Sequence, residues 1–242
     1  MLGQYTPVEY NALIFDVDGT LWDAARVSSY GWNLALAEMG LASRVTVDDI
    51  RSVSGNPFPT CVEILLPELH PVPRSLLESL ERQERVAFDT IAGDLYDGVA
   101  EGLPRLAEVY PVFLVSNCPD WYLERFLDVT GFGRYLSGRD CHGLSGVSKR
   151  EMLLRMRRRN GIERGVYVGD TQGDRDAALG AGLDFILAAY GFGAQESART
   201  GDCFEPADAR TGDVCTPAAV AACPAFDSFH RLVDHFLALS QG

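Results

Sequence analysis

The chain has 242 residues, 47% of them hydrophobic and 23% charged, and 34 acidic against 21 basic residues give a net charge of −13. That length suits one large domain or a core with a modest insertion. So acidic a chain lacks the phosphate-neutralising surface that non-specific nucleic-acid binding needs, and no apolar run reaches the length of a membrane span, so neither nucleic acid nor membrane is expected as a partner. Residues 1–10 hold no basic segment followed by an apolar one, which reads as the absence of a secretory signal. Six scattered cysteines without CxxC spacing fit the reduced thiols of a cytoplasmic protein. Of the 21 basic residues a single one, Lys149, is lysine.

The first buried strand is predicted at residues 12–15, running directly into Asp16-Val17-Asp18-Gly19-Thr20. Helical periodicity follows over residues 23–39, 47–52, 60–66 and 74–92, punctuated by Pro57, Pro59, Pro67, Pro71 and Pro73. A second strand at 112–116 ends in Ser116-Asn117-Cys118, with Pro119 suited to the first position of the next helix. About 95 residues separate these two strands, whereas a crossover needs only a dozen or so, so the helices between them form an insertion. Its two connections, near Trp22 and over residues 93–98, return to neighbouring places and permit hinge closure over a cleft. Ser148-Lys149-Arg150-Glu151 has capping-box spacing at the start of a helix reaching about residue 160. A third strand at 166–168 leads through Gly169-Asp170-Thr171-Gln172-Gly173-Asp174 into a helix beginning near Arg175, and a fourth strand covers 185–188. Residues 190–224 read as loop, and an amphipathic helix over 228–240 closes the chain. The alternation of buried strands and helices points to a parallel α/β sheet.

The chemistry-bearing residues gather where these strands end, the edge at which open α/β sheets bind ligands. Asp16 and Asp18 can hold a hard cation through oxygen, with one acting as nucleophile and the other exchanging a proton. Asp170, directly after a strand and a glycine, reads as a further metal ligand, while Asp174 also suits the first helical turn because the helix dipole stabilises an acid there. Ser116 and Asn117 beside a helix amino terminus make an anion site, although both are also ordinary turn residues. Lys149 at a first helical position opposes the dipole, which local stability does not explain and phosphate binding does.

Asp16-Val17-Asp18-Gly19-Thr20-Leu21, Ser116-Asn117, Lys149 and Gly169-Asp170-Thr171-Gln172-Gly173-Asp174 resemble the four motifs of the haloacid dehalogenase-like (HAD) hydrolase superfamily. Arg175-Asp176-Ala177-Ala178-Leu179-Gly180-Ala181-Gly182 and Tyr190-Gly191-Phe192-Gly193 are similar to its phosphoglycolate phosphatase-like branch. The resemblance implies a three-layer Rossmann-like parallel sheet core over residues 1–21 and 95–242, with a small inserted α-helical cap domain over 22–94. It further implies Asp16 as the nucleophile that becomes an aspartyl-phosphate and Asp18 as the acid and base. Mg²⁺ would be held by Asp16, the Asp18 backbone carbonyl and Asp170, with Asp174 completing the metal site through water or Lys149. Ser116, Asn117 and Lys149 would hold the phosphoryl oxygens, and Thr20 would brace the first loop.

Asp18 argues against carbon–halogen cleavage, whose family members lack that second aspartate. The lysine motif here is Ser-Lys-Arg where relatives commonly carry Lys-Pro, and residues 203–223 form an insertion without an assigned role. The expected activity is hydrolysis of a small phosphorylated metabolite by a monomer or homodimer. A sugar phosphomutase and a non-catalytic phosphate-binding or interaction module stand as alternatives. The cap would set specificity, with Arg51, Gly55 and Asn56 as candidate substrate contacts, while Arg26 and Tyr30 compete with a solvated helix face.

Overall fold

The computed structural model describes residues 9–42, 44–193 and 223–241. In chain order the strands are β1 (Ala12–Phe15), β2 (Trp22–Asp23), β3 (Asp94–Leu95), β4 (Val112–Ser116), β5 (Leu136–Cys141), β6 (Gly165–Gly169), β7 (Asp184–Ala188) and β8 (Ala225–Phe226). The α-helices are α1 (Ala25–Glu38), α2 (Val47–Val53), α3 (Phe58–Leu65), α4 (Arg74–Thr90), α5 (Val99–Ala107), α6 (Asp120–Thr130), α7 (His142–Ser145), α8 (Lys149–Asn160), α9 (Gln172–Gly180) and α10 (Phe229–Leu239). The expected absence of a leader in the first residues lies outside the described residues, as do all but Cys223 of the insertion at 203–223 and most of the expected 190–224 loop.

Six strands form one sheet in the order β5-β4-β1-β6-β7-β8, every pairing parallel. β1 is fully buried because it is paired on both sides, Phe15 lying opposite Leu114 on β4 and Val168 on β6. A strand covered on both faces needs apolar residues at every position, which is why the short run Ala-Leu-Ile-Phe is a legible signal. Strand alternation then sorts the core into two layers. Leu13 and Phe15 pack with Leu103, Phe126, Phe229 and Phe236 on one face. Ala12 and Ile14 pack with Phe113, Met152, Tyr167 and Phe185 on the other.

Helices α1–α4 form the insertion between β2 and β3, and these two short strands pair antiparallel through Trp22↔Leu95 and Asp23↔Asp94. The insertion has its own core, built on Trp32, Leu36, Ile50, Val62, Leu76 and Leu80. Gly31 lets α1 lie against α4, since a Cβ there would meet the Glu84 backbone Cα at 2.6 Å. α2 starts with a complete capping box, the Thr46 side chain accepting from the Asp49 N–H while the Asp49 carboxylate accepts from the Thr46 N–H.

Several boundaries depart from the sequence expectation. Asp23 lies in β2 rather than in the first helix, and its carboxylate accepts a hydrogen bond from the Ala25 N–H at 3.0 Å. Pro119 is the residue before α6 rather than its first residue, and α9 begins at Gln172, ahead of Arg175. β5 was not foreseen, because an edge strand of alternating exposure carries Ser, Arg and Asp and shows no apolar run. Among the described residues no helix is long and apolar enough to cross a membrane; Cys61, Cys118 and Cys141 are buried free thiols, and Cys223 is buried.

Candidate active site

The three central strands deliver Asp16, Ser116 and Asp170 to one edge of the sheet, where the first residue of α8, Lys149, meets them. Lys149 Nζ donates to Asp16 Oδ2 at 2.9 Å and to Asp174 Oδ1 at 2.5 Å, with side-chain exposures of 4% for the lysine and 1% for each acid. Burial works against the ammonium, but the charges of Asp16 and Asp174 outweigh it and raise the Lys149 pKa. The cation therefore stays charged at a helix start whose dipole disfavours it. The half-made cap agrees with this placement. Ser148 accepts from the Glu151 N–H at 3.3 Å, while the Glu151 carboxylate turns outward to Arg155 instead of completing the box.

Asp174 serves two purposes. Its Oδ2 accepts from the Thr171 N–H at 3.1 Å and the Thr171 hydroxyl at 2.8 Å, closing a capping box on α9, while Oδ1 faces Lys149. Asp170 is fully buried, its Oδ2 accepting from the Phe192 N–H at 2.7 Å. The loop after β1 lies directly on this carboxylate. Gly19 has φ +74°, and a Cβ on it would occupy the position of the Asp170 oxygens, so both the backbone conformation and the space require glycine.

Oxygens of Asp16, Asp170 and Asp174 lie within 4.8 Å of one another. Asp16 Oδ1 and Asp170 Oδ1 are buried with no hydrogen-bond partner among the described residues. Buried anionic oxygens left without donors are costly. A set of hard carboxylate oxygens with free lone pairs fits a hard divalent cation, Mg²⁺ being the type that such ligands suit. The Asp18 carboxylate is not part of this cluster, since its Oδ1 accepts a hydrogen bond from the Tyr122 hydroxyl. Its backbone carbonyl is the group left for the metal contact expected of it.

The acids differ in proton affinity. Burial, with Asp174 adding to it and Lys149 opposing it, pushes Asp16 up to about 6. Burial pushes Asp18 up to about 7, against the downward pull of the Tyr122 hydrogen bond. Burial and the neighbouring acids raise Asp170 well above the usual carboxylate range.

Between this edge and the insertion lies a cavity of about 80 Å³. Asp16, Asp18, Ser116, Asn117 and Tyr122 line it from the sheet side, and Trp32, Gly55, Asn56 and Glu84 line it from the insertion. The Asn117 amide donates to the Gly55 carbonyl at 2.7 Å, so the loop after β4 is tied directly to the insertion. Thr20 is buried away from the cavity with its hydroxyl unpartnered among the described residues, and its carbonyl accepts from the Tyr190 hydroxyl at 2.9 Å. Arg51 does not line the cavity. Asp23 holds its guanidinium at 2.7 Å and Asp48 at 3.4 Å, and it lies 6.0 Å from the Phe192 ring centre. Arg26 and Tyr30 are exposed. Burial raises the Cys118 thiol far above its ordinary pKa, which disfavours the reactive thiolate.

Sequence reading missed Tyr122 and Glu84. Tyr122 reaches Asp18 across 104 residues, a separation with no local signature. Glu84 did leave a trace, because it falls in the buried stripe Leu76, Leu80, Glu84, Phe88 of α4, where a carboxylate breaks the apolar pattern.

Residues 13–188 match the family model described as haloacid dehalogenase-like hydrolase. A protein named phosphoglycolate phosphatase from Rhodobacter capsulatus is 30% identical over 190 residues, which cover 75% of this chain and 85% of that protein. Another of the same name from Xanthomonas campestris pv. campestris is 30% identical over 195 residues, covering 75% and 84%. In fold, the chain matches the crystal structure of a predicted phosphatase from Clostridium acetobutylicum with a TM-score of 0.71 at 19% identity, over 95% of this chain and 99% of that one.

Proposed function

Because the chain belongs to the haloacid dehalogenase-like hydrolase family, we propose that this phosphatase hydrolyses the phosphate monoester of a small metabolite through an aspartyl-phosphate on Asp16. One observation carries the reading: Asp16 faces the cavity with one oxygen bound to Lys149 and the other free. Beside it stands Asp18, an acid whose pKa of about 7 suits it to give and then take a proton near neutrality.

In the first half-reaction Asp16 attacks phosphorus, the bond to the alcohol oxygen breaks, and Asp18 gives its proton to that oxygen. In the second, Asp18 takes a proton from water as the water oxygen attacks the phosphorus, releasing inorganic phosphate and restoring Asp16. Lys149, Ser116 and Asn117 hold the phosphoryl oxygens, an arrangement of fixed charge and hydrogen-bond donors that stabilises the transition state. Asp16, Asp170, Asp174 and the Asp18 carbonyl would hold Mg²⁺, which when bound neutralises acid charge that would otherwise repel a phosphate dianion. Four carboxylates against one ammonium and one divalent cation leave an excess negative charge unless one carboxyl is protonated, and Asp18 is the acid suited to that.

Residues 1–21 and 95–242 act in this reading as the core domain, and residues 22–94 as a cap that closes over the leaving group. A cavity of about 80 Å³ has room for roughly five to eight water-sized groups, which favours a small leaving group over the sugar bisphosphate of a mutase. The buried free thiols of Cys61, Cys118 and Cys141 fit a cytoplasmic enzyme. The test is phosphate release from small monoesters with Mg²⁺ or with EDTA, in wild type and Asp16→Asn. Metal-dependent release that Asp16→Asn abolishes is expected. Release that survives EDTA, or that Asp16→Asn retains, would overturn the mechanism.

A further inference from the structure

Glu84 is an acid the mechanism above leaves unused. It sits on α4 in the cavity wall, 5% exposed. The Trp32 indole N–H donates to its Oε2 at 3.2 Å, and Ser28, one turn earlier on α1, is its second hydrogen-bond partner. Close packing of α1 at Gly31 against the Glu84 backbone fixes both partners. Neither partner brings a positive charge. None of the described residues lining the cavity is a lysine or arginine. Arg51 is turned to Asp23 and Asp48, and Arg85, next to Glu84 in sequence, lies over the Trp121 ring and pairs with Glu81. The insertion thus presents to the leaving group one carboxylate, set among Ala25, Ile50, Val53, Phe58 and Cys61, without a countercharge.

Resting on the phosphatase reading, we propose that the substrate is a small phosphate monoester whose alcohol carries a protonated amine, and that Glu84 is the residue that selects it. An ammonium would complete the carboxylate's hydrogen bonding with a charge-assisted contact, and the Trp32 and Phe58 rings, 5.7 Å apart between centres, offer aromatic surface beside it. A leaving group bearing a carboxylate would bring a second anion against Glu84 in a poorly solvated wall. An uncharged one would gain no charge-assisted contact with Glu84. Burial pushes Glu84 up to about 7 in the ligand-free protein, and a neighbouring ammonium would draw it back to the ionised form. The cavity volume limits the amino alcohol to a few carbon atoms. This selectivity would separate the chain from relatives named for phosphoglycolate, whose leaving group is an acid.

The experiment compares kcat/KM of the full chain with Mg²⁺ for 2-aminoethyl phosphate, 2-hydroxyethyl phosphate, ethyl phosphate and phosphoglycolate. A charge-assisted hydrogen bond corresponds to a preference of roughly 10- to 100-fold for the amine over the hydroxyl compound, with phosphoglycolate the poorest of the four. In Glu84→Gln, which keeps the shape of the side chain, the amine-to-hydroxyl ratio is expected to fall to about one, mainly through KM. Phosphoglycolate as the best substrate, or an unchanged ratio in Glu84→Gln, would overturn the proposal. Should that variant fail to fold, the wild-type ranking alone decides. Hydrolysis without amine preference overturns this assignment and spares the phosphatase reading, whereas hydrolysis of none of the four overturns both.

Discussion

Replacing Lys149 tests the electrostatics of the site most directly. Its ammonium lies 2.9 Å from Asp16 and 2.5 Å from Asp174 and is almost wholly buried. In Lys149→Met those two acids and Asp170 lose their only ammonium partner among the described residues. Removing one partner of a buried pair costs about 3–5 kcal/mol, which at about 2–4 °C per kcal/mol for a chain of this size is a fall in Tm on the order of 6–20 °C. Lys149→Arg keeps the charge but replaces a compact ammonium with a planar fork, in a space bounded by the Tyr167 ring, 5.7 Å from Nζ. Overpacking of that kind costs about 1–3 kcal/mol. Because the guanidinium displaces Asp16 from the attacking position, activity should fall by roughly 100-fold or more, equivalent to about 2.7 kcal/mol of barrier. Thermal unfolding with and without Mg²⁺, together with kcat/KM for a small monoester, checks both variants. The other twenty basic residues of the chain are arginine; turnover within about threefold of wild type in Lys149→Arg would refute the reasoning.

Other outcomes follow from the same geometry. The Glu84 pKa is raised from 4.5 to about 7 in the folded state, so the folded protein binds the extra proton between these values and stability falls as pH rises through that window. Glu84→Gln removes this component, and its gain over wild type should grow by up to about 3 kcal/mol between pH 4.5 and pH 8 in urea unfolding; an equal difference at both pH values would contradict it. Mg²⁺ at about 100 times its Kd should add about 2.7 kcal/mol to wild-type stability, and calorimetry should find that increment missing in Asp170→Asn. Gly19→Ala places a methyl group on the Asp170 carboxylate in a left-handed backbone. It should cost at least about 1–3 kcal/mol and abolish the Mg²⁺ response, and an unchanged Tm with and without Mg²⁺ relative to wild type would argue against that contact.

Much of the sheet was readable because β1, β4, β6 and β7 are buried on nearly every residue and therefore apolar but for Ser116 and Asp184 at their ends. The acids and Lys149 were readable because they stand directly at element ends, where sequence adjacency and spatial position coincide. β5 was not readable, since two of its six residues are exposed and Ser, Gly, Arg and Asp interrupt any apolar run. Arg51 shows the same limit in a side chain. Its place beside the break between two helices suggested a ligand contact, and only the fold brings Asp23, 28 residues away, to occupy its guanidinium. Glu84 shares a helical stripe with Leu76, Leu80 and Phe88, but the sequence alone does not say what that stripe meets; the packing of α1 at Gly31 supplies it.

The pairing of β2 with β3 has a further consequence for how such a chain can change. Trp22 and Leu95 stand opposite one another in this pairing, and the Tyr96 N–H donates to the Leu21 carbonyl at 3.2 Å, so the long excursion between them starts and ends at one point of the sheet domain. To the folding core it is a closed loop, and the entropy of closing a loop grows only by about 0.6 kcal/mol for each doubling of its length. The excursion also carries a separate apolar nucleus of its own. Residues there can be lengthened, shortened or exchanged at little cost to the chemistry at the sheet edge, so one reaction centre can be refitted to new alcohols by replacing its cover alone.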